Sequence, residues 1–199
     1  MIVTGIGSRT ISDSEERVIR QISRVLAKAG CTLRSGGADG ADTAFEAGWR
    51  DVGSSAMEIF VPWSGFNGTT SDAPYIVLDK KSDLFEEAHN EAQTVHPAWY
   101  RLSRGAQYLH TRNIFQVRGP ELKVPSDVII AMADPVGRFG VKGGTSTAWT
   151  LGKRLQVPTF NLRKREDALE LVKFVNERLQ GVYLQPDDVY DAPHTLMEF

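Results

Sequence analysis

Short apolar runs alternate with longer amphipathic runs along the first third of this chain of 199 residues. The apolar runs begin at residues 2, 32 and 56, and the segments 12–29 and 43–51 between them have helical character. Because parallel strands need a crossover connection, most often a helix, this order predicts a parallel sheet with helices on its faces. We therefore expect an α/β, Rossmann-like fold with three layers and a mostly parallel sheet.

Residues 64–110 interrupt this alternation, and we expect them to form a helical and aromatic insertion. They contain the acidic helix-like run 82–94 and most of a second helix-like run, 97–117. Aromatic residues cluster among them, with Trp63 just before. Such residues usually build a subsidiary core or an oligomer interface, although they could also stack on a base.

The alternation resumes after the insertion, with strand-like runs at 127–132 and 157–162 and a final helix-like run. We therefore expect a single nucleotide-binding domain over residues 1–180. The tail, residues 181–199, is acidic and contains proline. We expect it to lie over the surface or to contact a partner.

The composition is that of an ordinary soluble protein, with 41% hydrophobic and 24% charged residues. The formal net charge of −2 argues against a dedicated nucleic-acid-binding domain, which usually carries a basic excess, but it allows a local basic stripe. The single cysteine, Cys31, begins an apolar run and is expected to be buried and inert. No run approaches the roughly 20 apolar residues of a membrane span, so we expect a cytoplasmic protein without a membrane partner.

A glycine-rich turn, residues 143–148, joins an apolar run to a helix-like run and is called the second turn below. Glycines let the backbone approach a ligand closely, and the free N–H groups of a helix start can hold an anion. We therefore expect the turn to bind phosphate. The candidate ligand-binding residues here are Gly143, Gly144, Thr145 and Ser146.

An earlier turn, residues 35–42, has the same arrangement and is called the first turn below. Its three glycines are hard to explain by packing alone, so we expect backbone N–H groups to line an anion or a ribose hydroxyl. Asp39 and Asp42, three residues apart, could lie on one helix face, with Asp39 the better candidate for a plain helix N-cap. The candidate ligand-binding residues here are Gly36, Gly37, Ala38, Asp39 and Asp42.

Six further residues complete the candidate site. The start of the chain reads Gly5-Ile6-Gly7-Ser8-Arg9, like a dinucleotide fingerprint whose third glycine is missing, and a guanidinium there would suit a phosphate. Trp63 directly follows the third strand at its functional end. Arg112 could hold phosphate and Asn113 a base, or the segment could be an exposed face balancing the acidic helix. Histidines at metal-ligand spacing are absent, so neither a metal nor a cofactor is expected. The candidates in this group are Gly7, Ser8, Arg9, Trp63, Arg112 and Asn113.

Taken in order, these motifs resemble the SLOG superfamily, which joins the Rossmann-like domain of DNA-processing protein A with the lonely-guy phosphoribohydrolases. The resemblance covers about residues 1–162 and is nearest to small stand-alone bacterial and phage members. It implies a Rossmann-like fold that binds nucleotide-type ligands through the two turns, usually as a dimer or larger assembly.

The resemblance separates the two branches at the second turn. The phosphoribohydrolase branch has a glutamate after its glycines that serves N-glycosidic cleavage, whereas this chain has Ala148, Trp149 and Thr150 there. The missing glutamate argues against that mechanism, and the Thr147-Ala148 ending is more similar to the branch that binds single-stranded DNA.

Three functions follow, in this order of preference. The first is binding of a small phosphorylated nucleotide, such as an ADP-ribose-like or cyclic-nucleotide signal, by a sensor or sequestering protein. The second is nucleoside monophosphate N-glycosidase activity, in which Asp42 or Asp39 replaces the missing glutamate as the catalytic carboxylate. The third is single-stranded DNA binding through Arg101, Arg104, Arg112 and Arg118, with nucleic acid not the favoured partner. A homo-oligomer is expected in each case.

Overall fold

The computed structural model describes residues 1–179, 181 and 183–189. The strands are β1 (Ile2–Gly7), β2 (Thr32–Ser35), β3 (Met57–Val61), β4 (Tyr75–Val77), β5 (Val128–Met132), β6 (Pro135–Val136), β7 (Gly140–Val141) and β8 (Thr159–Asn161). The α-helices are α1 (Asp13–Lys28), α2 (Ala41–Arg50), α3 (Asp83–Val95), α4 (Arg104–Arg118), α5 (Thr145–Arg154) and α6 (Arg165–Arg178). Short 3-10 turns lie at Phe66–Gly68, Trp99–Arg101 and Pro186–Val189.

Six strands form one parallel sheet in the order β4-β3-β2-β1-β5-β8, while β6 and β7 form a separate antiparallel hairpin. One face of the sheet packs against α1, α2 and α6, and the other packs against α3, α4 and α5. The expected three-layer, Rossmann-like α/β fold is confirmed. None of the helices in the described part of the chain has the length and apolar character that crossing a bilayer requires.

Local signals account for several of these elements. Ser12 accepts a hydrogen bond from the N–H of Glu15, whose carboxylate accepts one from the N–H of Ser12, so α1 begins with a capping box. The central strand β5 is buried over its whole length, as expected of a parallel strand covered on both faces. Cys31 is fully buried, as predicted, and burial raises the pKa of its thiol.

The expected insertion at 64–110 is part of the fold itself. β4 pairs in parallel with β3 at the edge of the main sheet, and α3 and α4 form most of the second helical layer. The helix predicted over 97–117 is divided into a 3-10 turn and α4, because Ser103 caps the start of α4 by accepting the N–H of Ala106. The helical periodicity of these segments was visible in the sequence. Their assembly into a layer depends on contacts across the sheet.

The described start of the tail packs against the body of the protein. Leu184 and Val189 are buried in the core beside α1 and α6, and Asn176 hydrogen-bonds both backbone groups of Leu184. Packing therefore continues beyond the boundary expected at residue 180. The part of the predicted tail at 190–199 lies outside the described residues.

Candidate functional site

A cavity of about 390 Å³ opens at the carboxyl edge of the sheet beside β1 and β5. The chain runs outward from β1 to β4 and returns on the other side of β1 at β5, so the cavity lies at the topological switch point, where open α/β sheets bind ligands. The lining residues are Ile6, Gly7, Ser8, Arg9, Ala38, Asp42, Ala106, Leu109, His110, Arg112, Asn113, Gln116, Ala133, Asp134, Lys142, Gly143, Gly144, Thr145 and Ala148.

The second turn forms one wall of the cavity. Its carbonyl and hydroxyl groups are fixed, since Asn113 Nδ2 donates to Gly144 O over 2.8 Å and Thr145 Oγ1 donates to Gly7 O over 2.9 Å. Helix α5 has no side-chain N-cap. Within the described residues, the N–H groups of Gly143, Gly144 and Thr145 have no acceptor. The turn therefore presents free donors at a helix start, which is an arrangement that binds anions.

Two cationic side chains stand at the rim of this cavity. Arg9 follows β1, Lys142 precedes the second turn, and both are exposed. Neither side chain has an ion-pair partner among the residues that the structure describes. Their charges are therefore available to an incoming anion.

The first turn is occupied by the protein's own anion. Asp42 Oδ2 lies 3.3 Å from Arg112 Nη1 and accepts the N–H of Ala38 over 3.4 Å. Both side chains are almost fully buried. Burial raises the pKa of Asp42 and the charge of Arg112 opposes that rise. The N–H of Ala38, which was expected to meet a ligand, instead donates to a carboxylate of the chain.

Packing and backbone geometry explain the glycines of the first turn. A Cβ on Gly36 would lie 1.4 Å from Arg112 Nη1, so only glycine lets this guanidinium reach Asp42. Gly40 has a φ of +79°, and a Cβ there would lie 2.4 Å from Ser8 O. Packing therefore accounts for Gly36 and Gly40, whereas Gly37 has a φ of +62° and a Cβ there would meet no atom closer than 3.4 Å.

Several predicted site residues lie away from the cavity lining. Asp39 is exposed, and the N-cap of α2 is Gly40, which provides no side-chain hydrogen bond, so the N-cap role expected for Asp39 was wrong. Trp63 packs edge-on against Phe66, with 5.3 Å between ring centroids. The remaining predicted residues that do not line the cavity are Gly36, Gly37 and Ser146.

Two of the arginines considered for DNA binding are committed to ion pairs. Arg112 pairs with Asp42, and Arg118 Nη1 lies 2.8 Å from Glu91 Oε2 on α3. Arg101 and Arg104 are exposed but do not line the cavity. Arg118 thus balances the acidic helix α3, as the alternative for this segment expected, whereas the buried Arg112 pairs with Asp42 on α2.

Gln116 and His110 line the cavity although the sequence did not single them out as ligand-binding residues. Gln116 follows Arg112 by one helical turn on α4, and this i, i+4 spacing was the available signal. His110 Nδ1 lies 2.7 Å from Thr147 Oγ1. Burial, together with the charges of His96 and Arg112, lowers the pKa of His110 to about 4, so its ring is neutral at pH 7. No group of three or more potential metal ligands occurs among the described residues.

Comparison with known proteins supports the fold. No protein-family model and no curated protein matches the chain. Among solved structures, the chain is similar to DNA processing protein A from Helicobacter pylori, whose structure was described for its single-stranded DNA binding mode. The identity is 20%, the TM-score is 0.53, and the match covers 87% of this chain and 72% of that chain. The two proteins share a Rossmann-like fold.

Proposed function

We propose that the cavity binds one nucleotide unit of single-stranded DNA, with its phosphate on the second turn. The observation that carries the proposal is the meeting of free N–H groups at Gly143, Gly144 and Thr145 with the cations Arg9 and Lys142. Backbone donors and cations together position a nucleic-acid phosphate without regard to sequence. The fold shared with DNA processing protein A supports DNA as the source of that phosphate.

One wall of the cavity, called the apolar wall below, suits a base or sugar. This wall is formed by small or aliphatic side chains. The volume of the cavity, about 390 Å³, falls at the lower end of the range of about 300–1,000 Å³ that is typical of ligand pockets. Apolar walls with a few polar groups are typical of such pockets. The side chains concerned are Ile6, Ala106, Leu109, Ala133 and Ala148.

The hairpin β6–β7 favours a strand over a free nucleotide. Phe139 at its tip is 69% exposed, and the guanidinium of Arg138 lies 5.2 Å from its ring centroid. Trp149 Nε1 and Lys164 Nζ donate to the carbonyls of Phe139 and Arg138 over 2.7 and 2.6 Å. The backbone of the hairpin tip is therefore fixed, and the exposed ring is available for base stacking, which contributes about 1–3 kcal/mol per base in single-stranded nucleic-acid binding.

Beyond the hairpin lies a second cavity of about 520 Å³, lined in part by Phe139, Lys153 and Lys164. Lys142 directly follows the hairpin and links the two cavities along the chain. A strand leaving the first cavity would thus meet cations and an exposed ring. The net charge of −2 describes the whole molecule, whereas binding depends on this local basic surface.

Fluorescence anisotropy of a labelled, mixed-sequence oligonucleotide of about ten nucleotides tests the proposal. We expect binding that weakens steeply with salt, and Lys142→Ala should reduce the slope of log K against log salt by about 0.7. Lys173→Ala is the matched control, because Lys173 lies outside both cavities and pairs with Glu170. Undetectable oligonucleotide binding at low salt would refute the proposal.

A free phosphorylated nucleotide is the second candidate, favoured by the small size of the first cavity. An ADP-ribose-like or cyclic-nucleotide signal would use the same phosphate donors. Thermal shifts with mononucleotides, compared with the oligonucleotide at equal nucleotide concentration, distinguish the two. A mononucleotide that binds as tightly as the oligonucleotide would favour this second candidate.

The N-glycosidase alternative has less support from the geometry. Asp42 is held in an ion pair with Arg112, and Asp39 lies outside the cavity lining. Release of free base from a panel of nucleoside monophosphates would reinstate it. The homo-oligomer stays a prediction, which light scattering would check.

A further inference from the structure

Gln116 is one of the residues that line the cavity, and its side-chain amide has no hydrogen-bond partner in the part of the chain that the structure describes. Gln116 is 1% exposed, and neither its Nε2 nor its Oε1 has a hydrogen bond among the described residues. Its backbone is fixed, since Thr4 Oγ1 donates to Gln116 O over 2.7 Å. Buried polar atoms are nearly always paired, so an unpaired amide facing a cavity indicates a ligand-directed group.

Arg112 adds a second unpaired donor beside it. Its Nη1 is engaged with Asp42, whereas its buried Nε has no acceptor in the described structure. The backbone of Gly36 packs against both side chains, because a Cβ there would lie 1.4 Å from Arg112 Nη1 and 2.7 Å from Gln116 Nε2. The two groups are therefore held in place by packing before any ligand arrives.

These atoms together form a particular hydrogen-bonding set. Gln116 Nε2 and Arg112 Nε donate, and Gln116 Oε1 accepts. The complementary ligand edge has two acceptors and one donor. Thymine offers two carbonyl oxygens and one N–H on its Watson–Crick edge, and cytosine offers O2, N3 and an amino group. Guanine has the opposite balance, with two donors and one acceptor, and adenine has one of each.

We infer that Gln116, with Arg112, recognises the Watson–Crick edge of a pyrimidine base in this cavity. The inference rests on the proposed function, and it adds a preference that phosphate binding alone does not provide. The phosphate would meet the second turn and the rim cations, while the base would pass the apolar wall toward the amide. Single-stranded bases are commonly recognised in this way, on an unpaired Watson–Crick edge.

The test compares the affinities of labelled, ten-nucleotide DNA oligomers of thymidine, deoxycytidine or deoxyadenosine. Each oligomer is bound to the wild-type chain and to Gln116→Met. Methionine matches glutamine in length and removes both polar atoms. We expect the wild type to bind either pyrimidine oligomer about tenfold more tightly than the adenosine oligomer. Gln116→Met should reduce that preference to less than about threefold and leave the salt dependence unchanged, since no phosphate contact is lost.

A matched control and a stability measurement complete the design. Gln107→Met makes the same substitution on the same helix, at a residue that does not line the cavity, and it should keep the pyrimidine preference. The melting temperature of Gln116→Met should not fall, because no protein hydrogen bond is removed.

The possible outcomes distinguish a failure of this inference from a failure of the proposed function. Equal wild-type affinity for all three oligomers, or a preference for adenosine, would overturn the inference and leave DNA binding intact. Retention of the preference in Gln116→Met would also overturn it. If the wild type bound none of the oligomers, the proposed function would fall and the inference with it. The comparison of the three oligomers on the wild type needs no variant, so it tests the pyrimidine preference even if Gln116→Met does not fold.

Discussion

The two glycine-rich turns of this protein look alike in sequence and differ in what they hold. The first turn surrounds Asp42, which accepts the N–H of Ala38 and pairs with Arg112. Among the described residues, the second turn has no such occupant, and the N–H groups of Gly143, Gly144 and Thr145 lie without an acceptor near Arg9 and Lys142. A glycine-rich turn can thus stabilise the fold when a side chain of the protein supplies the anion. It can bind a ligand when no side chain supplies one.

The largest expected effect comes from removing the internal anion. Asp42→Asn keeps the volume of the side chain but leaves the buried charge of Arg112 uncompensated. We expect the free energy of unfolding to fall by about 3–5 kcal/mol, measured by urea denaturation. Breaking the exposed Lys173–Glu170 pair with Glu170→Gln is the control and should change it by less than about 0.5 kcal/mol. A comparably small loss in Asp42→Asn would mean that the first turn does not depend on its carboxylate.

The charge of Asp42 also acts on Glu46, one helical turn along α2. Burial, and secondarily the charge of Asp42, raises the pKa of Glu46 to about 7. The folded state therefore holds a proton between about pH 4.5 and 7 that the unfolded state releases, so this group lowers stability as pH rises through that window. Glu46→Gln removes the effect and should gain stability relative to wild type across the window, by up to about 3 kcal/mol.

Denaturation of wild type and Glu46→Gln at a series of pH values measures this difference. The comparison isolates Glu46, because His110, whose pKa is lowered to about 4, has the opposite slope between about pH 6.5 and 4 in both proteins. Glu86→Gln, at an exposed position on α3, is the control. A difference that does not vary with pH would show that Glu46 ionises normally.

The second turn is tested by placing an anion in it. A Cβ on Gly144 meets nothing within 4 Å, and φ is −59°, so Gly144→Asp should fold. Its carboxylate would repel a ligand phosphate, and we expect oligonucleotide affinity to fall by about 100-fold, about 2.7 kcal/mol. Gly144→Asn has the same size without the charge and should lose far less. Retained affinity in Gly144→Asp would show that the turn is structural.

The smallest effect contrasts one substitution in the two turns. Gly36→Ala forces Arg112 to move and should lower stability by about 1–3 kcal/mol. Gly144→Ala fits its open position and should raise stability slightly, by about 0.4–1 kcal/mol. Thermal denaturation of both variants checks this pair. Equal effects would remove the structural distinction between the turns.

Helical and strand periodicity in the sequence predicted the order of β1, α1, β2, α2 and β3 because local spacing alone determines which faces are apolar. It also placed both turns at the carboxyl edge of the sheet. At 64–110 it indicated two helical segments, but not that β4 pairs with β3 at the edge of the main sheet or that α4 covers the sheet. That outcome depends on pairing between segments far apart in the chain, which has no local signal.

By itself, the sequence determined the fold class and the positions of the candidate phosphate-binding turns, because both follow from short-range patterns. Only the tertiary structure decided which turn is available to a ligand. Arg112 and Asp42 are 70 residues apart, and nothing in their local sequence says that they meet. The same long-range packing brings Gln116 beside Gly36. The residues that lie nearby in the folded structure, and not those nearby in the sequence, determine whether a polar group is paired or free.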